Sequence, residues 1–220
     1  MREWLDTRTI ALVMVGLLVL RLAMAGWRSE TRAHRQVTEL LDSALLALGL
    51  MFVVIRPFVA HSFFIPSGSM EPTLHDGDWV LTNRFIYRIN PPQRGDVVVF
   101  RAPERALEIS GRFGHNGRAT DYIKRVVGLP GDRIQIRAGD GVYVNGALVP
   151  EPYIRSDDQV PTYNFPREGE YQVREDQVLV FGDNRNNSND SHAWGPLPTD
   201  LLVGKAMVIF WPPTHAGWLN

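Results

Sequence analysis

Hydrophobic positions follow two regimes along the chain. From Ile10 to Trp27 the stretch IALVMVGLLVLRLAMAGW is apolar except at Arg21, close to the roughly 20 residues that carry a helix across a bilayer. A second run, Ala44–Phe64, stays apolar until Arg56 and Pro57. These runs predict an anchor over residues 1–62 with two spans, about 10–27 and 41–60. A cleaved signal segment is the rival for the first run. The acids in the start MREWLDTR and the second apolar stretch favour an anchor. For the second run the rival is a buried or interfacial helix. Between the runs stand Arg28, Arg32 and Arg35, and the positive-inside tendency makes that short basic loop cytoplasmic. Residues 63–220 then face the opposite, trans side.

After about Asp76 the pattern shortens to strand-sized runs separated by Gly, Pro and Asn: WVLTNRF, DVVVF, DRIQIR, GVYVNGALV, QVLVF and KAMVIFW. Ile134 and Ile136 alternate with polar side chains, as in a half-buried strand. Asn145-Gly146 between two β-type triplets predicts a two-residue hairpin, whose type I′ turn needs positive φ at both positions. The fold class expected is mainly β, with N-terminal transmembrane helices preceding a β-rich domain. Arg101–Thr120 and Glu151–Arg174, rich in Gly, Pro and charge, read as surface hairpins or loops.

Composition narrows the chemistry. With 220 residues and a net charge of −1, the chain lacks the basic footprint of a nucleic-acid binder. Cysteine is absent, which excludes disulfides, zinc-thiolate sites and thiol catalysis. Of 23 basic residues only Lys124 and Lys205 are lysines. Arginine stays charged in a protein, whereas a buried lysine can lose its proton.

Three stretches could carry a reaction. Phe63–Leu74, FFIPSGSMEPTL, sets three hydroxyls on a turn stiffened by Pro66 and Pro72, and a hydrolase needs a hydroxyl held on such a turn. In DYIKRVVGLPGD, Lys124 follows Ile123 and precedes Val126-Val127. A strand that turned this lysine toward apolar neighbours would lower its pKa and let it accept a serine proton, with Arg125 on the opposite face. GDNRNNSNDSHAWG, Gly182–Gly195, is dense in side chains that bond their own backbone, hence a tightly structured loop. Taken singly, each reads equally as an ordinary turn, strand lysine or connection. The histidines at 34, 61, 75, 115, 192 and 215 form no triad or metal spacing.

Together and in this order, IPSGSMEPTLHDGDWVLTNRF, RGDVVVF, DYIKRVVGLPGD, GVYVNG, GDNRNNSNDSHAWG and VGKAMVIFWP resemble bacterial type I signal peptidase, the membrane-bound Ser/Lys leader peptidase. The resemblance implies an endopeptidase that removes signal peptides from exported preproteins after Ala-x-Ala sites, without metal or organic cofactor. It makes Ser69 the nucleophile and Lys124 the general base. Ser67 joins the Ser69 amide in the oxyanion hole, and Ser188 orients the lysine. Phe63, Ile65, Met70, Leu74, Tyr122 and Ile123 form the substrate pockets. Its setting is the bacterial inner membrane, multi-pass, with the catalytic domain periplasmic or extracellular; its partners are preproteins, lipid and the translocation machinery. Asn186 and His192 depart from the family loop, which has Asp and Arg there; an Asp190–His192 pair would make behaviour pH-responsive in the histidine range. Other readings are a Ser/Lys self-cleaving domain like those of SOS-response repressors, a specialised peptidase of a conjugation or secretion system, and an inactive membrane-anchored β binding module.

Overall fold

The computed structural model describes residues 7–26, 31–50, 61–111, 121–137, 140–154 and 169–219, which fall in two units, Met1–Val59 and Ala60–Asn220. In the first unit α1 spans Thr7–Gly26 and α2 spans Arg32–Gly49. The short basic loop expected around Arg28, Arg32 and Arg35 is therefore helical from Arg32. Thr31 caps it by accepting from the His34 N–H, and Arg35 donates to Glu39 one turn on at 3.0 Å. Arg21 of α1 makes a two-pronged ion pair with Asp42 of α2, at 2.7 and 3.1 Å. Among the described residues no helix is long and apolar enough to cross a membrane. Residues 51–60 of the expected second span lie outside the described residues.

The second unit is built from antiparallel strands: β1 His61–Phe64, β2 Trp79–Asn83, β3 Val97–Arg101, β4 Asp121–Gly128, β5 Arg133–Arg137, β6 Gly141–Val144, β7 Ala147–Leu148, β8 Tyr171–Gln172, β9 Gln177–Phe181, β10 Leu197–Pro198, β11 Leu202–Trp211 and β12 Gly217–Trp218. The larger sheet runs β1-β2-β11-β3-β4-β9-β10 with β12 on β11; the smaller runs β7-β6-β5-β8. The last four residues of the second apolar run are thus β1, an edge strand. Asn145 and Gly146 have φ of 54° and 84°, the type I′ turn expected between β6 and β7. Arg101–Thr120 contains a short helix, Glu104–Ile109, seated by buried Ala106; residues 112–120 and 155–168 lie outside the described residues.

Strand β3 explains its own unbroken apolar run. Val97 and Val99 pack on one face with Ile65, Met70, Leu74 and Val80, while Val98 and Phe100 pack on the other with Val126, Val180 and Trp194. A strand buried on both faces has no position left for a polar residue, so alternation disappears. A third cluster, Val127, Ile134, Val142, Leu179 and Phe181, joins the two sheets. Burying each such side chain stabilises by about 1.5–3 kcal/mol.

Candidate active site

The Ser69 turn is fixed from below by apolar anchors. Ile65, Met70 and Leu74 are all fully buried beneath it. Ile65 exchanges backbone hydrogen bonds with Asp78 and Gly77, both at 2.9 Å, and the Leu74 N–H bonds the Met70 carbonyl at 2.9 Å. The chain between them has no freedom to sink, so Ser67, Gly68 and Ser69 ride at the floor of a cleft of about 330 Å³.

Strand β4 supplies the opposite wall. Its register against β3 pairs Lys124 with Val98 and Ile123 with Val99, and Lys124 is 4% exposed. The ammonium donates to Ser69 Oγ at 2.7 Å and to the Ile123 carbonyl at 2.8 Å. Burial pushes the Lys124 pKa down to about 8, against the opposing pull of Asp190 and Asp183. The lysine is therefore a base that is partly neutral near neutral pH. Ser67 Oγ lies 3.4 Å from Ser69 Oγ, at the long end of hydrogen bonding.

Of the expected pocket residues, Phe63, Ile65, Tyr122 and Ile123 line the cleft together with Val99. Met70 and Leu74 do not reach its wall; they belong to the core that backs it. Ser110, Asp121, Asn187 and Asn189 also line the cleft. These four were missed because they sit in loops or at a strand end, where polar residues carry no periodic signal.

The loop Gly182–Asp190 closes over the turn. Ser188 Oγ is buried there with no hydrogen-bond partner, so no bond joins it to Lys124. A Cβ on Gly182 would sit 2.7 Å from Ser188 Cβ and closer still to Ser188 Oγ and the Ser69 carbonyl. Only glycine permits that approach. Asp190 is buried and accepts from Gly182 N–H at 2.8 Å and meets His192 Nδ1 at 2.6 Å. Burial alone would raise its carboxyl; the His192 contact and charge and the Gly182 amide outweigh that and hold it below the usual range. The Asp190–His192 pair posed as a possibility from the sequence is thus present.

A second polar network, not foreseen as such, lies on the other side of β4. Arg125 faces away from Lys124 but is buried too, gripping Asp183 at 2.9 and 2.7 Å and the Gly95 carbonyl at 2.8 Å. Asp183 also accepts from Thr73 Oγ at 2.5 Å. Arg185 forms a buried two-pronged pair with Glu151, and Tyr153, whose hydroxyl also meets Glu151, lies under Arg125 at 4.1 Å. The clue in the sequence was the concentration of charge in GDNR beside a strand, which a surface loop does not require.

Among the described residues no group of three or more His, Asp and Glu is placed to hold a metal ion.

Comparison with known proteins gives a consistent assignment. The family described as "Signal peptidase, peptidase S26" matches residues 37–211. "Probable signal peptidase I-2" of Synechocystis sp. is 43% identical over 181 residues, covering 82% of this chain and 74% of the relative. "Signal peptidase I" of Leptolyngbya laminosa is 43% identical over 178 residues, covering 81% and 79%. "Signal peptidase I" of Mycobacterium tuberculosis is 33% identical over 234 residues, covering 88% and 79%.

Proposed function

The chain belongs to the signal peptidase family, peptidase S26, and from that premise we propose that it is a signal peptidase I that cuts preproteins by a Ser69/Lys124 dyad. The observation that carries the reading is the 2.7 Å contact between a buried lysine of lowered pKa and a serine at the floor of a cleft.

The mechanism runs on this chain's groups and water. Neutral Lys124 takes the Ser69 proton as Oγ attacks the scissile carbonyl, with Ser67 and the Ser69 N–H holding the developing oxyanion. Protonated Lys124 then gives that proton to the leaving amine, which departs as the new N-terminus of the mature protein. Lys124 next draws a proton from water, whose oxygen attacks the Ser69 ester; the lysine returns that proton to the leaving Ser69 Oγ, which frees the signal peptide as its carboxylic acid and restores the neutral base. Ser188, packed against Gly182, holds the lysine side of the site in place. With a pKa near 8, about a tenth of the enzyme has the base neutral at pH 7.

Phe63, Ile65, Tyr122 and Ile123 narrow the cleft toward small side chains before the cut, with Met70 and Leu74 as backing, which suits Ala-x-Ala sites. Residues 1–62 form the membrane anchor and residues 63–220 the catalytic domain. With spans at about 10–27 and 41–60, the proposed setting is the bacterial inner membrane, with the domain on the trans side beside the translocation machinery. Support comes from the apolar run Ile10–Trp27 and from the outward apolar side chains of α1, among them Leu12, Leu18 and Leu22.

The test is cleavage of a preprotein bearing an Ala-x-Ala site by detergent-solubilised wild type beside Ser69→Ala and Lys124→Met, with the product's N-terminus read by mass spectrometry. Cutting after Ala-x-Ala by wild type alone is the expected result. A folded wild type that leaves the preprotein intact overturns the reading.

A further inference from the structure

Asn184 spends its side chain in an unexpected place. It sits at the N-cap of the 3-10 turn Arg185–Asn187, where an Asn ordinarily accepts from the turn's own amides, yet it makes no capping bond. Instead Asn184 Nδ2 donates to the Gly68 carbonyl at 3.0 Å. The Asn184 backbone N–H meanwhile donates to the Ser69 carbonyl at 3.2 Å. One residue of the far loop thus holds the two carbonyls on either side of the Ser69 Cα. Asn184 is 7% exposed, so these bonds are shielded from water.

The Gly68 carbonyl and the Ser69 N–H belong to one peptide plane. In a trans peptide these groups point in opposite directions, and the cis bonds of the described residues precede Pro72 and Pro212. Fixing the carbonyl on the loop side therefore fixes the N–H on the cleft side. The Ser69 N–H begins the short helical turn Gly68–Met70, and the first amides of such a turn have no partner within it. Without a second hold, the plane could rock about the flexible Gly68. The Glu71 N–H also reaches the Gly68 carbonyl, at 3.2 Å, but it comes from the same turn and moves with it. Asn184 comes from the loop that the buried Arg185–Glu151 and Arg125–Asp183 pairs tie down.

We propose that Asn184 is a positioning residue that clamps the Gly68–Ser69 peptide plane and so aims the Ser69 N–H at the oxyanion. The inference rests on Ser69 being the nucleophile. Its effect is confined to the transition state, because the uncut carbonyl makes weaker demands on the donor's direction.

The experiment compares full-length Asn184→Ala and Asn184→Leu with wild type in detergent; Leu keeps the volume while removing the donor. A preprotein gives kcat and KM, and an Ala-x-Ala peptide aldehyde, whose adduct with serine places an oxygen in the oxyanion position, gives an inhibition constant that does not depend on how much protein is folded. Deleting an oxyanion donor lowers kcat by about 10²–10³; a misaimed donor should lower it roughly 10- to 100-fold, leave KM within about twofold, and weaken the aldehyde by the same factor as kcat. Reduced kcat with unchanged aldehyde affinity, or no change in either, overturns the clamp. Ser69→Ala separates the two readings: cleavage that survives in it removes the serine assignment and the clamp together. An inactive Ser69→Ala beside unaffected Asn184 variants removes the clamp alone.

Discussion

At Lys124 the requirements of the proposed catalysis and of stability oppose one another. An ammonium buried to 4% exposure beside Val126 and Ile123 is disfavoured, which is why its pKa falls from 10.5 to about 8. Below pH 8 the folded protein carries the full penalty of a buried charge, about 3 kcal/mol for that interval; between 8 and 10.5 the penalty fades as pH rises. Lys124→Met should therefore unfold at higher denaturant concentration than wild type at pH 7, by up to about 3 kcal/mol, while losing cleavage. Equal or lower stability would mean that the lysine is not desolvated. The neighbouring carboxylate tunes the same group. Asp190 raises the Lys124 pKa by its charge, so Asp190→Asn, which keeps an oxygen for the Gly182 N–H, should move the acid limb of kcat/KM to lower pH. An unmoved limb would assign that limb to another group. Ser69 and Lys124 stood out in the sequence as a hydroxyl on a stiffened turn and a rare lysine among β-branched neighbours, and it was the joint order of the motifs that suggested their roles. Arg125, Asp183 and Asn184 were not assigned roles, because burial of a polar side chain is decided by partners more than 50 residues away.

Strands and loops divide the labour differently. The six strand-sized runs were readable from β-type residues bounded by turn residues, with alternation helping only in β5, and the Asn145-Gly146 hairpin from its dipeptide alone. Strands β8, β10 and β12 have two residues each, too few for any period. The short helix Glu104–Ile109 also escaped, lying in a stretch whose Gly and Pro content reads as loop. The hairpin and the Gly182–Asp190 loop should respond oppositely to substitution. Asn145 adopts φ 54° and donates to Asp132 at 2.9 Å while accepting from the Arg133 N–H. Asn145→Ala should cost about 1–2 kcal/mol in denaturant unfolding, and leave kcat unchanged because β6 and β7 supply no residue to the cleft. Gly182→Ala drives a methyl into Ser188 and the Ser69 carbonyl. It should abolish most cleavage, read as kcat on protein whose folded fraction is verified by circular dichroism; retained activity would mean that the loop can yield without disturbing Ser69.

For the whole molecule, the proposed substrate, a preprotein, would reach the cleft from a bilayer, and the surface beside the cleft is suited to that. Phe64, which lines the cleft and is 50% exposed, meets Trp79 edge-to-face at 5.5 Å, and Trp79 meets Phe210 in a tilted contact at 6.4 Å. Trp211 and Trp218, on β11 and β12, are also exposed, at 54% and 75%. Exposed aromatics in contiguous contact mark an interaction surface, and Trp in particular favours the membrane interface. If this face rests on lipid, its removal should affect delivery and leave chemistry intact. Full-length Trp79→Ser/Phe210→Ser, reconstituted in liposomes, should cleave a membrane-inserted preprotein several-fold more slowly than wild type. The same variant in detergent should cleave a short soluble Ala-x-Ala peptide at the wild-type rate, since neither side chain lines the cleft. Equal losses on both substrates would place the damage in the β2–β11 pairing, where Ile209 and Trp211 oppose Val80 and Trp79. No loss on either would leave the proposed spans alone to hold the domain at a membrane.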